Sequence, residues 1–400
     1  MRFTDRPLHP KTAVHGYDTA LFVALELSRS TWLIAVNAPG SEKISKYRID
    51  AGDSEALLNL LRRLKVEAER RCRVPVKIVS IHEAGLDGFW VHRLLETNGI
   101  ESHVVDAASI EVDRRSRRVK TDRIDVEKLL RTLMGWARGE RRICSMVRPP
   151  SPAEEDERRL TRERQTLVIE RVRHVNRIKG LLATQGVFDF EPMRRGRRRE
   201  LAELRCRDGQ PLPPRLRMEL VREIGRLELA IEQLREIESE RDLALQATRS
   251  SAAQTAREPK TRLAAVASPG NQLLRLRGIG SEFASVLSLE AFYRNFNNRR
   301  EVAAYSGLTP SPWKSGNIDA EQGISKAGNA RLRKTMIQLA WLWLRHQPGS
   351  ALSRWFHERV GDRRGKIRRI AVVALARKLL VALWRYVTDG IVPAGAELKA

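Results

Sequence analysis

Cysteine is nearly absent from this chain. Its 400 residues include only Cys72, Cys144 and Cys206, an odd number with no C-x-x-C spacing, which argues against a disulfide scaffold and a cysteine-built zinc site. Long hydrophobic runs are missing too. The sustained apolar stretches are as short as residues 370–376, against the roughly 18–20 residues a membrane span requires. The first ten residues carry Arg2, Asp5 and Arg6 where a signal peptide would be apolar, so a cytoplasmic protein is expected. Acid is the third shortage: 49 Asp and Glu face 74 Lys and Arg, for a net charge of +25. With 42% hydrophobic residues the chain is too apolar for wholesale disorder, and with 31% charged residues it is too polar for a membrane protein.

The positive excess is unevenly placed. Residues 1–110 are close to neutral, at +1; residues 111–150 carry +6, residues 151–250 carry +3 and residues 251–400 carry +15. A near-neutral beginning followed by a short basic strip and a strongly basic end points to a polyanion held by particular surfaces, nucleic acid foremost. An anionic membrane is the weaker alternative, because no lipidation signal or basic amphipathic anchor is present.

Hydrophobic periodicity outlines the architecture. Apolar runs around residues 20–27 and 32–36 and an alternating run at 43–49 read as a β-meander. A helix follows over 54–71, then a buried strand at 76–81, a helix at 90–95, a strand at 102–105 and a helix at 121–136. Strands first adjacent and then separated by helices predict a mixed α/β sheet domain over 1–150. Residues 160–182 and 216–245 are charged stretches with apolar positions about 3.5 apart, and Pro211, Pro213 and Pro214 lie between them. They predict a helical hairpin or coiled coil over 151–250. Residues 251–272 read as a linker, and 273–400 as an α-rich C-terminal domain.

Four carboxylates carry the chemistry of the first domain. Glu26 interrupts an apolar strand, and Glu83 ends the run 76–81, at the edge where open α/β sheets bind their ligands. Asp122 and Asp125 stand three apart at a helix start and share a face. Singly, each fits a solvent-facing strand position, an N-cap or a first-turn acid. Together they could supply the hard oxygen ligands of divalent metal ions, two of which suit phosphodiester chemistry. Arg114, Arg115, Arg117, Arg118 and Lys120 directly precede the pair and would offset its repulsion of DNA.

The C-terminal third contains a G-I-G turn at Gly278–Gly280 between two helical segments. In a helix-hairpin-helix such glycines let backbone N–H groups approach a phosphate. Residues 306–319 read as a Pro/Gly-punctuated loop carrying Lys314 and Ser315. Lys326, Arg331, Arg333 and Lys334 follow, as cations opening a helix. Ser315 is a candidate nucleophile, with Ser325 as competitor, and either could be an ordinary turn residue.

The ordered set A-L-E-L-S, I-H-E-A-G, K-T-D-R-I-D, R-G-I-G, Y-S-G-L-T-P-S-P-W-K-S-G and I-S-K-A-G-N-A-R-L-R resembles the insertion sequence 110 family of transposases, the DEDD-type recombinases of bacterial mobile elements. The resemblance runs from about residue 23 to residue 389. It implies an RNase H-like, RuvC-like N-terminal domain whose four acids are Glu26, Glu83, Asp122 and Asp125, binding Mg²⁺ or Mn²⁺. It also implies a C-terminal transposase domain with Ser315 as nucleophile, a phosphoserine–DNA link, a homo-oligomer (dimer or tetramer) and a structured guide RNA. The family's usual first acid is Asp, where this chain has Glu26; Asp18 lies upstream of the strand. Two other functions stay open: a metal-dependent junction resolvase that uses water and forms no covalent link, and a non-catalytic nucleic-acid-binding relic.

Overall fold

The computed structural model describes residues 17–85, 88–110, 122–255, 268–315 and 318–399. They fall into two compact units, Met1–Pro150 and Ser151–Ala400.

The first unit is a mixed α/β structure built on a six-stranded sheet. β1 (Ala20–Leu27), β2 (Thr31–Asn37) and β3 (Ile44–Asp50) form an antiparallel meander; β4 (Lys77–Glu83) and β5 (Glu101–Val105) run parallel to β1, and the short β6 (Met146–Val147) closes the edge antiparallel to β5. The spatial order is β3-β2-β1-β4-β5-β6. The alternation of side chains along β1 sorts them onto two faces. Leu21, Val23 and Leu25 pack with Leu57, Leu61 and Leu64 of α1 (Ser54–Cys72) and with Val91 and Leu95 of α2 (Gly88–Thr97). Asp53 caps α1, accepting a bond from the Ala56 N–H at 2.8 Å. On the other face, Ala20, Ala24 and Ala35 are small enough for α3 (Asp122–Ala137) to seat Val126, Leu129, Leu130 and Leu133 directly on the sheet.

The second unit begins with a long helical hairpin. Ser151 and Glu154 form a capping box that starts α4 (Pro152–Ala183). After the short α5 (Arg197–Glu203), α6 (Pro214–Thr255) returns along α4. The two are antiparallel: Leu167 meets Leu234 and Ile237, while Ile178 and Leu182 meet Leu220, Ile224 and Leu227. The seam is flanked by ion pairs, among them Arg164–Glu238 at 2.7 Å and Arg177–Glu219 at 2.6 Å. The linker expected from residue 251 is shorter at its start, because α6 continues through Thr255.

The remaining elements are α7 (Pro269–Leu274), α8 (Ser281–Leu287) with a π-helical extension Ser288–Phe292, α9 (Arg299–Tyr305), β7 (Pro310–Ser315), β8 (Ile318–Ile324), α10 (Ala330–His346), α11 (Ala351–Val360) and α12 (Lys366–Asp389). Their core gathers Leu339, Trp343, Phe356, Leu375, Leu379 and Leu383. The base of the α4–α6 hairpin is fastened to this core by Arg158, which donates to the Leu289 carbonyl at 2.9 Å, and by Glu282, which pairs with both Arg164 and Arg241. Among the described residues no helix is long and apolar enough to cross a membrane.

Residues 310–315 and 318–324 differ from the loop expected there: they pair as an antiparallel hairpin, with a register shift between Pro310 and Pro312. The sheet has two strands, so β7 is an edge strand, where a proline at a position facing away from β8 costs no ladder bond.

Candidate functional site

The topology of the first unit puts Glu26 and Glu83 at the carboxyl ends of its two central strands. The parallel register sets Leu25 beside His82, so the next step sets Glu26 beside Glu83, on strands about 4.8 Å apart. Glu26 lies on the same side of β1 as Ala24, and Glu83 on the same side of β4 as Ile81, which is the face α3 covers. The direction of α3 follows from its partners. Met134, Ala137 and Arg138 border a small cleft with Tyr17, Ala20 and Phe22 at the start of β1, while Glu127 pairs with Lys46, on the strand whose Ala35–Lys46 register lies level with Ala24. The helix therefore runs against β1, and its first turn, with Asp122 and Asp125, comes to the edge where Glu26 and Glu83 stand.

Glu26, Glu83 and Asp125 are half-buried; the side chain of Asp122 lies outside the described residues. Among the described residues, Glu26, Glu83 and Asp125 included, no three of His, Cys, Asp and Glu form a group that could hold a metal ion. Carboxylates alone are nevertheless the donor chemistry that Mg²⁺ and Mn²⁺ prefer over thiolate or imidazole. Asp18 is exposed and precedes β1, at the opposite end of the strand from Glu83's edge. The basic strip Arg114, Arg115, Arg117, Arg118 and Lys120 falls outside the described residues.

In the second unit, Ser315 and Ile318 are the last paired residues at the tip of the β7–β8 hairpin, and Lys314 pairs with Asp319 behind them. Ser325 lies at the root, where its N–H bonds the Thr309 carbonyl at 2.8 Å. The two serines are thus at opposite ends of one hairpin. The root is held by a close crossing of two glycine-bearing strands of chain. Gly307 and Gly328 both have positive φ, and a Cβ on Gly328 would overlap the Tyr305 carbonyl and meet that of Ala304 at 3.0 Å. Arg333 donates to the carbonyls of Ser306 at 3.3 Å and Lys326 at 2.9 Å. Gly328→Ala is therefore expected to destabilise the second unit by about 2 kcal/mol or more, a fall of roughly 4–8 °C in its melting transition, measurable by calorimetry.

Beneath the root lies a polar cluster that periodicity and motif spacing do not indicate. Glu290, 4% exposed, accepts from Arg162 Nε at 3.0 Å and from Asn329 Nδ2 at 3.3 Å. Tyr305 donates its hydroxyl proton to the Glu290 carbonyl at 2.8 Å, and burial pushes its pKa up to about 12, so it remains a donor. Asn329 also caps α10 through the Leu332 N–H at 3.0 Å. A glutamate within the apolar run 286–292 is the one available sequence signal.

Two of the cations assigned to nucleic acid are placed differently. Arg331 has a side chain only 15% exposed, 4.0 Å from Glu290, and donates to the Thr161 carbonyl. Burial, only partly offset by Glu290, lowers its pKa. It packs α10 onto α4, because the flanking Leu332 and Thr335 turn that side of α10 inward. Arg333 is spent on the hairpin root. Gly278 meets a need inside the protein, since its φ is +86° and a Cβ would strike the side chain of His346 at 2.7 Å. Gly280 is the N-cap of α8 without crowding. Lys326 and Lys334 remain exposed; the side chain of Lys314 is outside the described residues.

Comparison with known proteins bears on both units. A family model described as "Transposase IS116/IS110/IS902 family" matches residues 270–354, and a DEDD transposase model of the IS110 type matches residues 28–185. The second match includes Glu83, Asp122 and Asp125 and begins just after Glu26. The chain is 52% identical over 399 residues to "Putative transposase y4rJ" of Sinorhizobium fredii, covering 99% of this chain and 98% of that protein. It is 28% identical over 323 residues to the transposase for insertion sequence element IS1111A of Coxiella burnetii, 78% of each chain. Identity to the transposase for IS1328 of Yersinia enterocolitica is 28% over 262 residues, 62% of this chain and 70% of that protein.

Proposed function

The chain belongs to the IS116/IS110/IS902 family of transposases, enzymes of DNA recombination, and on that premise we propose that it excises and inserts its element by serine-linked strand exchange assisted by a divalent metal. What supports the proposal is that the register of β1 and β4 puts Glu26 and Glu83 at the carboxyl ends of neighbouring strands, on the face that α3 covers. Such a placement fits the RNase H-like, RuvC-like acid cluster that the family resemblance implies. Mg²⁺, or Mn²⁺ in its place, would be held by Glu26, Glu83, Asp122 and Asp125, and would supply positive charge to the non-bridging oxygens of a scissile phosphate.

The protein's own groups do the rest. Ser315 Oγ gives up its proton and bonds to phosphorus as the bond from phosphorus to the leaving sugar oxygen breaks; that oxygen takes up a proton, and the strand stays attached to the serine. A hydroxyl on the receiving strand then attacks the same phosphorus and returns Ser315 to its free form. The hairpin presents the serine at its tip and keeps Ser325 at its root. Lys326, Lys334 and the strip before α3 neutralise backbone phosphates. A structured guide RNA paired to donor and target DNA would choose the sequence, and subunits of a homo-oligomer would bring the two units' residues together at one phosphate.

Removal of divalent metal tests the reading. Chelation is expected to stop cleavage of element-end DNA while leaving the DNA bound, and added Mg²⁺ to restore it. Cleavage at full rate under chelation contradicts it.

A further inference from the structure

The root of the serine hairpin opens onto a cleft of about 890 Å³, of whose lining residues the reading above uses Lys326 alone. Leu308, Ile324, Ile370, Val373 and Val381 form an apolar floor, with Ile370 57% exposed. Arg299 and Arg300 at the start of α9, and Lys326 beyond β8, stand on one side; Lys366, Arg369, Arg377 and Lys378 of α12 line the other. The four cations of α12 are spread over twelve residues, about 18 Å of helix, and Lys378 also lies over the Trp355 ring at 4.6 Å.

Three features say what this cleft takes. Among the described residues none of its seven cations pairs with a carboxylate, whereas those along the α4–α6 hairpin repeatedly do. The acid nearest in sequence to Arg300, Glu301, is occupied in bonding the Asn297 N–H at 2.9 Å and Asn298 Nδ2 at 2.8 Å. The lining contains donors and apolar groups and no side-chain acceptor, so it suits a ligand that only accepts, such as a phosphate, and its side chains cannot read the donor edge of a base. Lys366 and Arg369 also stand in the first turn of α12, which has no acid. Cations at that end oppose the helix dipole and cost stability.

We propose that the cleft is a sequence-independent cradle for the phosphodiester backbone of the DNA strand that runs past the β7–β8 hairpin. Ser315 stands five residues along β7 from Pro310, at the cleft's edge, a span of about 17 Å. A strand lying in the cleft therefore reaches the hairpin tip within a few nucleotides. The proposal rests on the reading that Ser315 acts on DNA.

The test is the salt dependence of binding to a short labelled DNA duplex of arbitrary sequence and to an RNA duplex of the same sequence, using the full chain with Lys366, Arg369 and Arg377 all changed to Gln. The slope of log affinity against log salt is expected to fall by about 2–3 for DNA of any sequence, with affinity down on the order of 100-fold at about 0.15 M salt. RNA affinity should fall no more than DNA affinity, since an RNA duplex presents the same phosphates, and the melting temperature should stay the same or rise, because the helix start is relieved of like charge. Ile370→Glu, an exposed position, should also weaken DNA binding. Unchanged DNA affinity and slope, or a loss confined to RNA, overturns the proposal. Ser315→Ala, run in parallel, should bind DNA as the unaltered chain does and form no covalent link. A persisting link would refute the role of Ser315 and leave the salt slopes to judge the cleft.

Discussion

Ser315→Ala is expected to abolish the covalent protein–DNA species and to lower strand exchange by at least on the order of 10⁴-fold, the scale of loss when a nucleophile is removed. The hairpin places Ser315 at a tip two residues from the return strand, and alanine removes the one oxygen the chemistry needs. Ser325→Ala should leave the adduct intact, since residue 325 meets the rest of the hairpin through its backbone N–H, which alanine retains. Denaturing electrophoresis of labelled element-end DNA reads both results. An adduct that survives in the Ser315 variant and vanishes in the Ser325 variant would exchange their roles; no adduct from the unaltered chain would favour a resolvase that uses water.

The second large effect is expected from Asp125→Asn. Asparagine keeps the shape of the side chain and its place in the first turn of α3 but loses the charge a divalent cation needs. Cleavage should fall by more than the roughly 10- to 100-fold that follows loss of an outer metal partner. DNA affinity should hold or rise, because one carboxylate no longer repels phosphate. Glu83→Gln should behave alike, being beside Glu26 on the same face of the sheet. Asp18→Asn, at the other end of β1, should leave cleavage unchanged. Cleavage at full rate by the Asp125 variant would remove the first turn of α3 from the site.

What could be read from the amino acids divides along physical lines. The central strands of the first unit announce themselves because both faces are covered, so β1 reads as a nearly continuous apolar run, and Glu26 stands out where that run is broken. The nearness of Glu26 to Glu83 depends on the parallel register of β1 and β4, a pairing between segments more than fifty residues apart, and no local pattern encodes it. The β7–β8 hairpin resembles a loop because Pro310, Pro312 and Gly316 are turn residues. The Gly-Asn pair at 316–317, a composition common in two-residue hairpin turns, was the contrary signal. Arg331 looks like any cation at a helix start; what buries it is α4, 170 residues earlier. Of the cleft cations only Lys326 belongs to a legible motif, because the others are divided between α9 and α12. Net charge located them only as an excess of +15 in residues 251–400.

The central claim is that a strand of DNA becomes bonded to residue 315 while the acids at the β1–β4 edge support its cleavage. The most direct measurement is mass spectrometry of the peptide left on element-end DNA after proteolysis of a reaction stopped midway. The account predicts a nucleotide joined through a phosphodiester to Ser315, formed with Mg²⁺ and missing in the Asp125→Asn variant. DNA cleaved with no peptide attached, or a peptide linked through another residue, would contradict it.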